Sequence, residues 1–144
     1  MGLDDLDPRR LEVAAHELGH AIAWKEAGLA ATAIRVLGHG DRAQGYVRIE
    51  NRLIYDADAA RAYLAGLLAG REAGIRWCEE NGLTHYEHTC HTDLNNFRQQ
   101  RRTPLGRQVS VGQARATARL IVRANWCLIV RLAPRLALQG RITL

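Results

Sequence analysis

His16-Glu17-Leu18-Gly19-His20 spells H-E-x-x-H inside a stretch, Asp7 to Ala27, that reads as one helix. Helix positions i and i+4 share a face, so both imidazoles can offer nitrogen to one Zn2+. Glu17 is rotated by roughly a third of a turn, which brings its carboxylate beside the open position of such a metal. Two neutral ligands and an adjacent base are what hydrolysis by a zinc-activated water requires. The competing reading is two histidines on a half-buried helix face, satisfied by their neighbours.

A catalytic zinc takes three protein ligands and keeps one position for water, so a third ligand must come from elsewhere. The metzincin spacing fails, because its glycine and third histidine positions hold Ala23 and Glu26. Three candidates stand: Glu72, Asp93, and the group His85, His88, Cys90 and His91. Asp93 falls just inside an expected helix start, where the helix dipole favours an anion; it would equally serve as part of a plain cap. The His/Cys group reads as polar loop residues, as a second metal site, or as a source of an inhibitory thiolate from Cys90.

The elements that must position these residues follow from local pattern. Asp7 is a good N-cap and Pro8 suits a first turn; Leu11, Ala15, Leu18 and Ile22 form an apolar stripe that Gly28 ends. Thr32–Leu37 and Gly45–Glu50 read as two antiparallel strands around a Gly38-His39-Gly40-Asp41 turn. Asp56 caps a second helix with Tyr63, Leu64, Leu67, Leu68 and Ile75 on its apolar face. Its small residues, Ala62, Ala65, Gly66, Ala69, Gly70, Ala73 and Gly74, predict close packing against the metal-bearing helix. Asn81-Gly82 opens a loop to about His91. Thr92 is expected to cap a short third helix, which Thr103-Pro104-Leu105-Gly106 ends. Ser110 to Gln113 predicts the start of a long last helix that Pro134 kinks or stops.

The order H-E-L-G-H, then two strands with G-Y-V, then L-A-G-R-E-A, then T-D-L resembles the peptidase domain of the FtsH-type zinc proteases over roughly residues 11–100. The resemblance implies His16, His20 and Asp93 as zinc ligands and Glu17 as general base. It also implies that Gly45, Tyr46 and Val47 lie in a strand beside the site, along whose edge a peptide would bind. Members of that family carry membrane segments and an AAA+ ATPase module; this chain has no Walker A pattern and only one lysine, Lys25. The resemblance is thus to a stand-alone form that relies on a separate ATPase or on none.

Composition frames these readings. A chain of 144 residues, 47% hydrophobic, is long enough for one folded domain with its own core. No apolar run approaches the roughly 18 residues that span a bilayer. The acidic N-terminus lacks a signal-peptide layout, and three cysteines without a C-x-x-C pair fit a reducing, cytoplasmic setting. Residues 1–93 carry 10 basic and 15 acidic side chains, whereas residues 94–144 carry 10 arginines and no acid. Arg115, Arg119 and Arg123 make one helical stripe that reads as a solvated face or as a dock for an acidic partner. No nucleic-acid motif or aromatic interleaving accompanies it.

The sequence therefore predicts a single domain over residues 1–144, with a core at about 7–102 and a basic helical region at about 108–138. The fold class is mostly α with a small antiparallel β-hairpin, a zincin-like helical metalloprotease domain. The function expected is zinc-dependent peptide-bond hydrolysis on a protein or peptide substrate, in a monomer or an oligomer. The alternative is a non-catalytic zinc-binding regulatory or interaction protein that docks through its basic C-terminal helix. A regulatory protease of the antirepressor-activating type also carries H-E-L-G-H, but this chain lacks its downstream E-x-E-A-N-like helix.

Overall fold

The computed structural model describes residues 2–49, 56–85 and 91–144, without the side chains of Leu3 and His91. Among the described residues the helices and strands are, in order, α1 (Pro8–Glu26), β1 (Ala31–Leu37), β2 (Gln44–Ile49), α2 (Ala57–Glu80), α3 (His91–Arg101), α4 (Val111–Ala124), α5 (Trp126–Gln139) and β3 (Arg141–Ile142). The fold is mostly helical, and the expected hairpin of β1 and β2 forms with Ile34 opposite Val47 and Arg35 opposite Tyr46. The sequence did not announce β3, which pairs antiparallel with β1 through Ile34 and Arg35 and makes the sheet order β2-β1-β3. β2 is therefore an edge strand.

α1 is the axis of the molecule. Asp7 Oδ1 accepts from Arg9 N at 2.9 Å, Pro8 occupies the first turn, and the chain leaves through Gly28 at a positive φ of 81°. Asp7 does more than cap, because its Oδ2 also accepts from Gly40 N at 2.7 Å and so ties α1 to the turn between β1 and β2. Arg10 donates to Ala137 O and to Gly38 O, each at 2.7 Å, while Asn125 donates to Glu26 at 2.8 Å. Both ends of α1 are thus anchored to α5 and its approach.

Every residue from Leu11 to Trp24 is buried, so α1 is enclosed on all sides rather than amphipathic. Leu18 and Leu64 are fully buried, each contributing about 2 kcal/mol of transfer free energy. The expected packing of α2 on α1 occurs. A Cβ on Gly19 would stand 2.5 Å from Ala69 O and 2.8 Å from Ala73 Cβ, which is too close for any side chain. The two backbones touch where the small residues lie.

Two expectations are corrected. The described part of α3 runs from His91, so Thr92 lies within the helix rather than capping it. The last helix is broken, but at Asn125 and not at Pro134, which sits inside α5. Asn125 Nδ2 bonds Ile121 O at 2.9 Å as well as Glu26, and these bonds hold its backbone at φ −110°, ψ 13°, off the helical path. α5 instead ends at Gly140, at φ 77°. The basic region is not an appendage: Ala114, Ala118, Val122, Ile129 and Leu136 belong to the common core.

Asp7→Ala is expected to lower stability by about 1 kcal/mol and the melting temperature by a few degrees. The hydrogen bonds from Gly40, Arg9 and Arg10 outweigh burial and hold the Asp7 carboxyl below its ordinary range. Its contribution is present above the unfolded-state value near 3.8 and fades as pH falls through the lower folded-state value. Thermal melts of wild type and variant should accordingly converge toward acid; a constant gap across that range would refute the cap assignment.

Candidate metal centre

His16, His20 and Trp24 follow at i, i+4 and i+8 on α1, in one row that faces the small-residue strip of α2. The His20 ring stacks on Trp24 with centroids 5.1 Å apart, and Trp24 stacks on Tyr63 of α2 at 5.7 Å. Cβ atoms on Gly66 and Gly70 would overlap the rings of Trp24 and His20 respectively. Glycine at these two positions is what allows both rings to lie flat between the helices. Gly66 contributes a second function, since its carbonyl lies 2.7 Å from His20 Nδ1. That bond places the proton of a neutral ring on Nδ1 and leaves the lone pair on Nε2, which faces His16 and Asp93.

Asp93, from the first turn of α3, completes the group. Its Oδ2 lies 2.8 Å from His16 Nε2 and 3.0 Å from His20 Nε2, and the two Nε2 atoms are 2.9 Å apart. Three donor atoms from three turns of chain converge on one point. This is a set that could hold a metal ion, and two imidazoles with one carboxylate suit a divalent cation such as zinc. Burial would raise the Asp93 pKa, but the charge of His20 and hydrogen bonds from His16 and His20 hold it well below the usual carboxylate range. For His20, burial favours the neutral ring, and the neighbouring Asp93 more than reverses that, raising its pKa.

Glu17 projects from the same turn toward β2. It is only 6% exposed; burial raises its pKa, Asp93 adds to the rise, and His16 and His20 oppose it. A glutamate so desolvated is biased toward its neutral form. Gly45 makes room for it. A Cβ there would stand 2.7 Å from Glu17 Cγ and 2.9 Å from Val13 Cγ1, so only glycine lets β2 run this close to α1. A cavity of about 990 Å3 opens above, walled by Gln44–Ile49 and floored by His16, Glu17 and Asp93. Gly45, Tyr46 and Val47 all line it, with Tyr46 36% exposed.

The other ligand candidates lie elsewhere. Glu72 pairs with Arg119 at 3.5 Å and is not part of the cluster. His85 stands with Glu12 and Cys78 in a separate group rather than with His16 and His20. His88, Cys90 and the His91 side chain fall outside the described residues. Sequence reasoning missed Glu12, a buried carboxylate at 3% exposure; its one signal was its place a single turn ahead of His16. Arg115, Arg119 and Arg123 are exposed along α4, as the stripe predicts.

Asp93→Ala is expected to weaken Zn2+ binding at least tenfold, roughly the least that disturbance of a ligand shell costs. Gly70→Ala should do the same without touching a ligand, because the His20 ring is fixed by Gly66 and Trp24 and cannot retreat. Gly74→Ala serves as control, since a Cβ there meets only ordinary contacts of 3.5–3.8 Å. Zinc titration calorimetry distinguishes them: equal affinity in Gly70→Ala and Gly74→Ala would rule out the packing argument. Comparison with protein-family models gives no match, and comparison with curated protein sequences gives none either.

Proposed function

We propose that this protein is a zinc-dependent endopeptidase of the FtsH-like kind, with His16, His20 and Asp93 as metal ligands and Glu17 as general base. The observation that carries the reading is the convergence of three donor atoms within 2.8–3.0 Å beside a buried glutamate, at the floor of a cavity bordered by an edge strand. A structural metal site needs neither a neighbouring base nor a cavity.

A cation held by these ligands supplies Lewis acidity toward a peptide carbonyl. The rest is work for the chain's own groups. Among the described residues β2 pairs with β1 alone, and its residues line the cavity, so an extended peptide can add to its other edge as a further strand. Tyr46 and Arg48, exposed on β2, are placed to meet alternate side chains of that peptide. Glu17 removes a proton from the attacking water and delivers it to the leaving amine; its raised pKa suits it to hold that proton in between. Gly45 keeps the distance between strand and base short.

The interaction-protein reading draws on one observation, the exposed Arg115, Arg119 and Arg123 on α4 with Leu120 61% exposed among them. It leaves Glu17 without a task. No helix among the described residues is long and apolar enough to cross a membrane.

The test is cleavage of dye-quenched unfolded casein by zinc-loaded protein. Glu17→Gln should keep its zinc and lose activity by about 100-fold or more. Wild-type rates from zinc-loaded Glu17→Gln would remove the base, and an inert, fully zinc-loaded wild type over a panel of unfolded proteins would favour the interaction reading.

A further inference from the structure

Glu12 precedes His16 by one turn of α1, yet it takes no part in the His16/His20/Asp93 cluster. Its Oε2 accepts from Arg9 Nη1 at 2.5 Å. Its Oε1 is enclosed and faces His85 Nδ1 at 3.3 Å. Cys78, from the last turn of α2, is 1% exposed and completes a group whose ligand atoms all lie within 4.8 Å of one another. Carboxylate oxygen, thiol sulfur and imidazole nitrogen brought this close together make the donor set of a borderline metal ion.

We propose that Glu12, Cys78 and His85 form a second metal site, for a borderline or thiophilic divalent cation such as Zn2+. The donor set is mixed oxygen, sulfur and nitrogen, which excludes Mg2+ and Ca2+ and suits zinc or its neighbours. Charge balance agrees: a thiolate and a carboxylate neutralise a divalent ion, and the imidazole adds a neutral third ligand. Arg9 holds Oε2 and so directs Oε1 into the group. Binding forms a sulfur–metal bond and breaks the Cys78 S–H bond, the proton leaving to solvent. Burial and the adjoining Glu12 carboxylate push the free thiol up to about 12, so the cation must displace that proton rather than find a thiolate waiting.

The placement gives the site a task. Glu12 belongs to the helix that carries both histidine ligands, Cys78 to the end of α2, and His85 to the segment that leads toward α3 and Asp93. A cation here pins the start of that segment to α1, one turn from the first cluster. Glu12 and His85 line the same cavity as His16, Glu17 and Asp93, so a cation here would sit at the border of the first cluster.

Cobalt(II) titration of metal-free protein tests this independently of any activity. The chain used carries Cys90→Ser and Cys127→Ser, so that Cys78 is its sole thiol. His16, His20 and Asp93 offer no sulfur, and a sulfur-to-cobalt charge-transfer band in the near ultraviolet can arise only at Cys78. The expected result is two equivalents bound, one with the band. Cys78→Ala should abolish the band and that equivalent while keeping the other; His85→Ala should weaken the banded equivalent at least about tenfold. Binding of cobalt without any band overturns the proposal, as does a band whose affinity His85→Ala leaves unchanged. Should Cys78→Ala fail to fold, the His85→Ala titration decides alone. A band that persists when His16→Ala removes the other equivalent supports the second site, whatever becomes of the first.

Discussion

The contact of α1 with α2 at glycine distance is the constraint from which the rest of the structure follows. Gly19 lies against Ala69 and Ala73, and the rings of His20 and Trp24 occupy the space that side chains on Gly70 and Gly66 would need. Each helical glycine sacrifices about 1 kcal/mol of helix propensity relative to alanine. What offsets this is a pair of aromatic stacks, a hydrogen bond to His20 Nδ1, and dense packing of fully buried leucines. A looser pair of helices would leave His20 free to turn, and its Nε2 would no longer point at Asp93.

The same contact explains why one helix carries four buried ionisable side chains, Glu12, His16, Glu17 and His20. Charges in such a place are unstable alone and stable in company. Asp93 stabilises the histidines, Arg9 stabilises Glu12, and Glu17 responds to burial by favouring its neutral form. Each group has a distinct solution, and the solutions set what the groups can do. The concentration of polar chemistry on the most enclosed element in the fold is hard to account for by packing alone.

Much of this was legible in the sequence where the signal is local. The Asp7 cap, the H-E-x-x-H face, the alternation of β1 and β2, and the strip of small residues in α2 all depend on neighbours a few positions apart. Asp93 was not separable from Glu72 by spacing; the T-D-L resemblance pointed to it, and the packing of α3 places it. The break at Asn125 was hidden because good helix formers flank it, and only the bond to Glu26, across the fold, decides it. Pro134 misled for the opposite reason: a strong local breaker is carried by a helix that Leu132, Leu136 and Ala137 bind to the core. Glu12, Cys78 and His85 come from three segments with no motif between them, so only tertiary structure could reveal the group.

The short strand β3 has a kinetic consequence. Its partners on β1 are Ile34 and Arg35, while its own residues are Arg141 and Ile142, so this pairing closes a loop of about three quarters of the chain. Loops of that length form late, after local helices and the β1–β2 hairpin have condensed. Until then β1 carries one open edge, and Val36 N lacks the Gly140 carbonyl that it meets at 2.9 Å in the finished fold. On the ribosome, the sheet beside the cavity is completed only when residue 142 has emerged, so a nascent chain holds its histidine pair long before it holds the finished sheet.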